Sequence, residues 1–240
     1  MKISNAKKVS ILGILFFLPV LFLLFLYPST HNYNTLDVVK ENVLEISRHN
    51  QESATTIQLE GNITVLAFLG KQPLSKSTAA LNLKELIYDK FKGFKRFQVL
   101  MLVSENTQEE VKLLKRELYQ HDELKYWHFI YAEENQIKNI YNSLSSKQDL
   151  DINLATDYVF IIDKDRNQRG RIDDRTESEI EKNAPIYGLN SYDCIEVSEI
   201  KHKMSEDVRI LFTEYRQKRK GNFDSTTRRA DDLKTQDAKN

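Results

Sequence analysis

Few residues in this chain could do redox or metal chemistry. Cys194 is its one cysteine, so neither an intrachain disulfide nor a CxxC or CxxxC redox pair can form. Metal sites built on paired thiolates are excluded with them. The five histidines, at 31, 49, 121, 128 and 202, show no HxxxH or HxH spacing, and each reads as a surface residue or a satisfied core residue. Residues 163–174 carry oxygen side chains at alternate positions, as a calcium-binding EF-hand loop does, but Gln168 takes the place of the turn glycine and Asp174 that of the bidentate Glu. An ordinary hairpin turn accounts for that stretch. No G-x-S-x-G elbow supports a Ser-His-Asp triad, and the seven scattered glycines build no phosphate-cradling loop. Cys194, in YDCIEV, reads as a small buried apolar side chain. A thiol enzyme using Cys194 alone is the alternative, and the absence of a resolving cysteine argues against it.

The elements that would position a site are clearer than the site. Residues 63–69 (ITVLAFL) form a continuous apolar run, the pattern of a strand buried on both faces. The loop Gln72-Pro73-Leu74-Ser75-Lys76 follows, and Ala80, Leu83, Ile87 and Phe91 then mark one face of a helix ending near Gly93. Residues 97–103 (FQVLMLV) predict a second buried strand, and Thr107 with Glu110 predicts a capping box at the head of a helix carrying Val111, Leu114 and Leu118 inward. A third strand is expected over 126–131 and a third helix under the stripe Ile137, Ile140, Tyr141 and Leu144. Residues 158–163 and 168–172 bracket a hairpin turn, and Val197, Ile200, Met204, Val208, Leu211 and Tyr215 make a long last helix. Ahead of these, 36–46 reads as a short helix and 56–59 as a first strand. The order β-α-β-α-β-α-β-β-α is that of a thioredoxin-like three-layer α/β/α domain with an inserted strand–helix unit.

With 240 residues and 40% hydrophobic side chains the chain can bury one compact core. Its 35 basic and 35 acidic side chains give no net field to attract nucleic acid. Residues 9–27 (VSILGILFFLPVLFLLFLY) are uncharged and nearly all apolar, behind Lys2, Lys7 and Lys8. At about 1.5 Å per residue the run spans roughly 28 Å, close to the ~30 Å hydrocarbon core of a bilayer. It lacks a small-residue cleavage site, so a retained single-pass anchor is expected. The lysines set residues 1–8 in the cytoplasm and the remainder across the inner membrane on the periplasmic side. The expected organisation is a linker with a short helix over 28–54, the folded domain over 55–220 and a disordered polar tail over 221–240.

The runs VLAFLGKQP, QVLMLVSENTQEEV and ATDYVFIIDKDRNQRG, with the single anchor, resemble the Sco family of membrane-anchored copper-handling proteins that assist cytochrome oxidase assembly. The likeness covers roughly residues 55–220. In that family a CPxxCP loop and a distant His bind copper. Laying Pro73 on the first proline of the motif puts the two cysteines at Gln72 and Lys76, and the strand YVFIID puts the His at Ala155, beside Thr156. All three ligands are missing, and the acidic-proline turn usual after the second strand reads Ser104-Glu-Asn106. The resemblance implies the fold and the compartment, with Gln72, Lys76 and Ala155 as vestigial positions and neither metal nor cofactor bound. The expected function is non-enzymatic: an accessory factor in Sco-type respiratory oxidase assembly that binds an unidentified protein partner. Gln72, Ser75 and Lys76, with the basic cluster Arg216, Lys218, Arg219 and Lys220, are the candidate partner surface, the cluster also reading as favourable charge at a helix C-terminus. A true copper chaperone whose ligands lie elsewhere is the other alternative.

Overall fold

The computed structural model describes residues 5–26, 35–46, 48–49, 56–119 and 124–220. The expected disordered tail and about half of the expected linker lie outside them. The chain divides into two units, Met1–Asn34 and Thr35–Asn240. The first contains helix α1 (Asn5–Leu26), with Pro19 inside it. Among the described residues no helix is long and apolar enough to cross a membrane. The anchor expected over 9–27 therefore rests on the sequence run.

The second unit begins with β1 (Asp37–Lys40), then β2 (Arg48–His49) and β3 (Thr56–Ile57), which pair with each other. The helix expected over 36–46 is a strand instead. Its burial alternates residue by residue, the period of a strand, and it covers the open edge of the hairpin strand Gln168–Gly170. The first strand expected over 56–59 shrinks to the two residues of β3.

Next come β4 (Ile63–Gly70), a 3₁₀ turn (Pro73–Lys76), α2 (Ser77–Leu83), a π turn (Lys84–Tyr88) and α3 (Asp89–Phe91). They are followed by β5 (Phe97–Ser104), α4 (Gln108–Leu118), β6 (Trp127–Ala132) and α5 (Glu134–Asn142). The hairpin β7 (Tyr158–Ile162) and β8 (Gln168–Gly170) leads into α6 (Glu177–Glu181), β9 (Tyr192–Asp193), a second π turn (Glu199–Met204) and α7 (Ser205–Lys220). Neither α6 nor β9 is anticipated by the sequence pattern.

The main sheet runs β1-β8-β7-β4-β5-β6, with β9 beside β7. β4, β5 and β6 are parallel, whereas β7 and β8 are antiparallel to their neighbours. Every residue of β4 and β5 is buried, because helices or packed segments cover both faces. Val65, Ala67, Leu69, Val99 and Met101 pack toward the side of α2, α4 and α7, while Leu66, Phe68, Leu100, Leu102 and Phe160 pack toward α5. The expected capping box at Thr107 does not form. The Thr107 hydroxyl donates to Ser104 O at 2.7 Å, and Glu110 turns away to accept from the Leu74 amide at 3.3 Å.

Charge is buried where α7 lies on the hairpin. Arg169 on β8 donates to Asp163 Oδ2 at 3.0 Å, to Glu214 Oε2 at 2.7 Å and to Leu36 O at 2.7 Å. Two residues on, Arg171 binds Asp207 through Nε and Nη2, and the Tyr192 hydroxyl donates to Asp207 Oδ2 at 2.7 Å. Burial raises the Asp207 pKa, and the hydrogen bond and charge of Arg171 oppose that rise. Asp163 also accepts from the Asp165 and Asn167 amides at 2.9 Å, so its carboxylate closes the hairpin turn that resembles a calcium loop in sequence. Removing one partner of a buried ion pair leaves the other charge uncompensated, at roughly 3–5 kcal/mol. Arg169→Met should lower the unfolding free energy by about that amount in urea titrations followed by circular dichroism. A loss below about 1 kcal/mol would show that the cluster is not a structural clamp.

Candidate functional site

The site is built at the C-terminal end of β4. Gly70 has φ +59°, and a Cβ there would lie 1.9 Å from Asn153 O, so only glycine lets the two backbones approach this closely. The Lys71 amide donates to Asn153 O at 2.7 Å and the Thr156 amide to Phe68 O at 3.0 Å. These bonds fasten segment 151–157 along the end of the strand. The loop then tightens into its 3₁₀ turn, where Ser75 donates to Gln72 O through its hydroxyl at 2.7 Å and through its amide at 3.1 Å. Pro73 stands in the first turn, where its missing N–H costs nothing.

Two side-chain contacts cross from loop to segment. Lys76 Nζ pairs with Asp157 Oδ2 at 3.0 Å, with side-chain exposures of 16% and 35%. Asn153 Nδ2 faces Gln72 Oε1 at 3.5 Å. Ala155 is 2% exposed; its amide donates to Asp151 Oδ1 and its carbonyl accepts from the Asp151 amide, both at 2.9 Å. Gln72 and Lys76 thus meet the segment that contains Ala155, through Asn153 and Asp157, which flank Ala155 by two residues. Sequence reasoning misses Asn153 and Asp157, since nothing local marks a contact 81 residues away.

The arrangement offers an ammonium, carboxylates and amides. Among the described residues no three His, Cys, Asp or Glu side chains gather as a metal site would require. Cys194 lies just behind: its amide donates to Asp157 O at 2.9 Å and its carbonyl accepts from Asn82 Nδ2 at 2.9 Å. The thiol is 1% exposed. Burial pushes its pKa far upward, and the charges of Asp193, Asp157 and Glu199 add to that, so little thiolate forms near neutrality. His128 is half-buried on β6, where burial and then Lys115 lower its pKa, and His202 is exposed. The other three histidines lie outside the described side chains.

The basic cluster is not part of this site. Arg216, Lys218 and Arg219 end α7, where Lys164 Nζ stands 4.9 Å from the centre of the Tyr215 ring. Lys164 O accepts from Gly61, two residues before β4 begins. The two halves of the expected partner surface therefore sit at opposite ends of β4, roughly 23 Å apart along the strand. The side chain of Lys220 lies outside the described residues. Beside the loop, next to Asn153, stands Ile152, 90% exposed.

What decides the fold is the sequence of units. A parallel β4-α2-β5 unit is followed, after the inserted β6 and α5, by the antiparallel hairpin β7-β8 and the covering helix α7. The central strands lie in the order β8-β7-β4-β5, with the exposed loop at the end of β4. The domain is thioredoxin-like. No family model and no curated protein matches the chain. Among solved structures it is similar to the soluble domain of Sco1 from Bacillus subtilis, at 13% identity and TM-score 0.38, over 71% of this chain and 91% of that one. It is similar also to the thioredoxin domain of a thiol-disulfide oxidoreductase from Bacteroides vulgatus, at 15% identity and TM-score 0.35, over 64% of this chain and 100% of the other. A thioredoxin-family thiol:disulfide interchange protein from Chlorobium tepidum shares 14% identity at TM-score 0.37, over 61% and 94%. Likenesses of this size speak to no activity or substrate.

The buried state of Cys194 has a direct readout. Because the raised pKa suppresses the thiolate and the core excludes reagent, iodoacetamide at about pH 8 should modify the native chain at under roughly one hundredth of the rate for the urea-unfolded chain. Comparable rates would place the thiol at the surface and revive a single-cysteine chemistry.

Proposed function

We propose that this protein is a membrane-anchored, extracytoplasmic binding factor whose thioredoxin-like domain carries neither a redox nor a copper site, and that it serves as an accessory in Sco-type respiratory oxidase assembly. The observation that carries the reading is the loop after β4. Where this fold presents reactive groups, the loop holds Gln72, Ser75 and Lys76, and its cation is paired with Asp157. A loop fastened in this way, with an isoleucine exposed beside it, suits recognition better than turnover. The anchor is supported by the uncharged run 9–27 behind its three lysines, and the orientation by the excess of positive charge on the N-terminal side. The oxidase connection is supported by the sequence resemblance to the Sco family. The other reading, a copper chaperone with ligands elsewhere, predicts a different titration.

Soft thiolates select Cu(I), and here the single thiol is buried and protonated. The purified chain should therefore retain no copper through a chelator wash and should not reduce insulin disulfides. One retained equivalent would overturn the reading. The binding role has its own test. A photo-crosslinking residue placed at Ser75 or Ile152 in native membranes should give a discrete adduct, whereas one at Val38, exposed on the edge strand β1, should not. Ile152→Asp should reduce the Ser75 adduct at least about fivefold, the size expected when an apolar contact worth roughly 1 kcal/mol is lost. Equal adducts from Val38 and Ser75 would remove the loop from the binding surface.

A further inference from the structure

The end of the domain opposite the loop is assembled from three segments distant in sequence. Residues 92–96 contribute Lys95 and Arg96, the turn 164–167 contributes Lys164 and Arg166, and the last turns of α7 contribute Arg216, Lys218 and Arg219. The backbone brings them together, since Arg96 O accepts from the Ile63 amide at 2.7 Å and Lys164 O from the Gly61 amide at 2.9 Å. Aromatic contacts join them to α7. Phe94 stacks on Phe212 with ring centres 4.3 Å apart. Lys164 and Lys218 lie 4.9 and 5.1 Å from the centre of the Tyr215 ring.

Acids stand near these cations too: Glu60 precedes Gly61, whose amide meets Lys164 O, and Glu41 precedes Asn42, whose amide meets Asn167 Oδ1. Asp165 accepts from the Tyr215 hydroxyl at 3.0 Å, and buried Glu214 holds both Arg169 and Lys218. Lys95, Arg96, Arg166, Arg216 and Arg219 make no ion pair among the described residues. After burial, the charges of Arg96 and Arg219 lower the pKa of Lys164, with Asp165 opposing them. Five cations without an ion pair among the described residues, gathered at one end, outnumber the acids beside them and favour an anionic partner.

The chain itself indicates which partner. Leu36 O is bound by the Arg169 guanidinium, which also holds Asp163 and Glu214, the residues just before Lys164 and Tyr215. The polypeptide therefore enters the domain beside the basic end. Only residues 28–35 separate that point from the apolar run, and eight residues reach at most about 29 Å when fully extended. Phe94, 46% exposed at the rim of the charges, adds an apolar side chain suited to the headgroup boundary.

We propose that this basic end, formed by Lys95, Arg96, Lys164, Arg166, Arg216 and Arg219 around Phe94, rests on anionic phospholipid headgroups of the membrane that holds residues 9–27. The proposal rests on the anchor reading given above. Docking in this way turns the loop at the far end of β4 away from the bilayer. Each basic side chain at an anionic surface strengthens binding roughly fivefold.

The test uses the full-length chain with phosphatidylcholine vesicles and with vesicles containing about 30% phosphatidylglycerol. Amide hydrogen exchange in 92–96, 164–167 and 215–219 should slow several-fold on the anionic vesicles only. Protection should be lost in about 0.5 M NaCl, where screening reaches within a few ångström, and in the exposed-surface variant Lys95→Glu, Arg216→Glu, Arg219→Glu. The salt arm decides the matter if that variant folds poorly. Equal protection on both vesicle types, or none on either, overturns the proposal, as does protection seen in native membranes and absent from anionic vesicles, which would assign the patch to an acidic protein. The anchor reading fails separately, as loss of salt-resistant flotation with phosphatidylcholine vesicles. In that event salt-sensitive flotation with the anionic vesicles, abolished in the variant, still supports headgroup binding, and its absence overturns it.

Discussion

One buried guanidinium ties together three parts of the chain that lie far apart in sequence. Arg169 is held by the hairpin turn through Asp163, by the terminal helix through Glu214 and by the incoming chain through Leu36 O. A desolvated cation is unfavourable unless several oxygens surround it, so the three segments are fixed relative to one another or the charge is stranded. The same logic repeats one residue pair further along, where Arg171 meets Asp207 and Tyr192. On the strand the arginines stand two residues apart, and on the helix their acids stand seven apart. These are the spacings that put each pair on one face. The sheet is therefore closed at its hairpin edge by charge, while its centre is closed by apolar packing.

The loop after β4 depends on that frame at one remove. Segment 151–157, which leads into the hairpin, supplies the Asn153 carbonyl that accepts from the Lys71 amide, the Thr156 amide that donates to Phe68 O and the carboxylate that receives Lys76. The loop is held to this segment by charge, Lys76 against Asp157. The single thiol, Cys194, belongs to the core, and its charged neighbours are acids, which disfavour a thiolate. The site is thus better described by what it can hold still than by what it can transfer.

The central strands were legible because β4 and β5 are buried on both faces, and unbroken apolar runs have few other meanings. The helices that cover them were legible from their stripes, and Ala80, Leu83, Ile87, Phe91, Val111, Leu114 and Leu118 are all buried. The failures have particular causes. Leu36, Val39, Val43 and Ile46 fall at spacings a helix also uses, yet the edge of β8 needed a partner and Asn42 turns the chain with φ 56°. The capping pair at Thr107 and Glu110 was a sound local signal that lost to a longer-range one, the Leu74 amide. Of the candidate site, the loop residues were visible and their partners were not. Asn153 and Asp157 are ordinary polar residues until folding lays them across from Gln72 and Lys76.

The π turn between α2 and α3 bears on how this chain can be compared with any other. A π turn closes its hydrogen bonds from i to i+5, so it takes one residue more than the α-helical turn it replaces. Here the Asp89 amide donates to Lys84 O, five positions back, and the Tyr88 hydroxyl accepts from the Tyr126 amide at 3.1 Å. A homologue with an unbroken helix at this point would match residues before Lys84 and after Asp89 only if a one-residue gap were opened between them. Glu199–Met204 imposes a second such gap ahead of α7. Ungapped comparison across either turn sets core positions against surface ones, so the ancestry of this domain is best traced strand by strand.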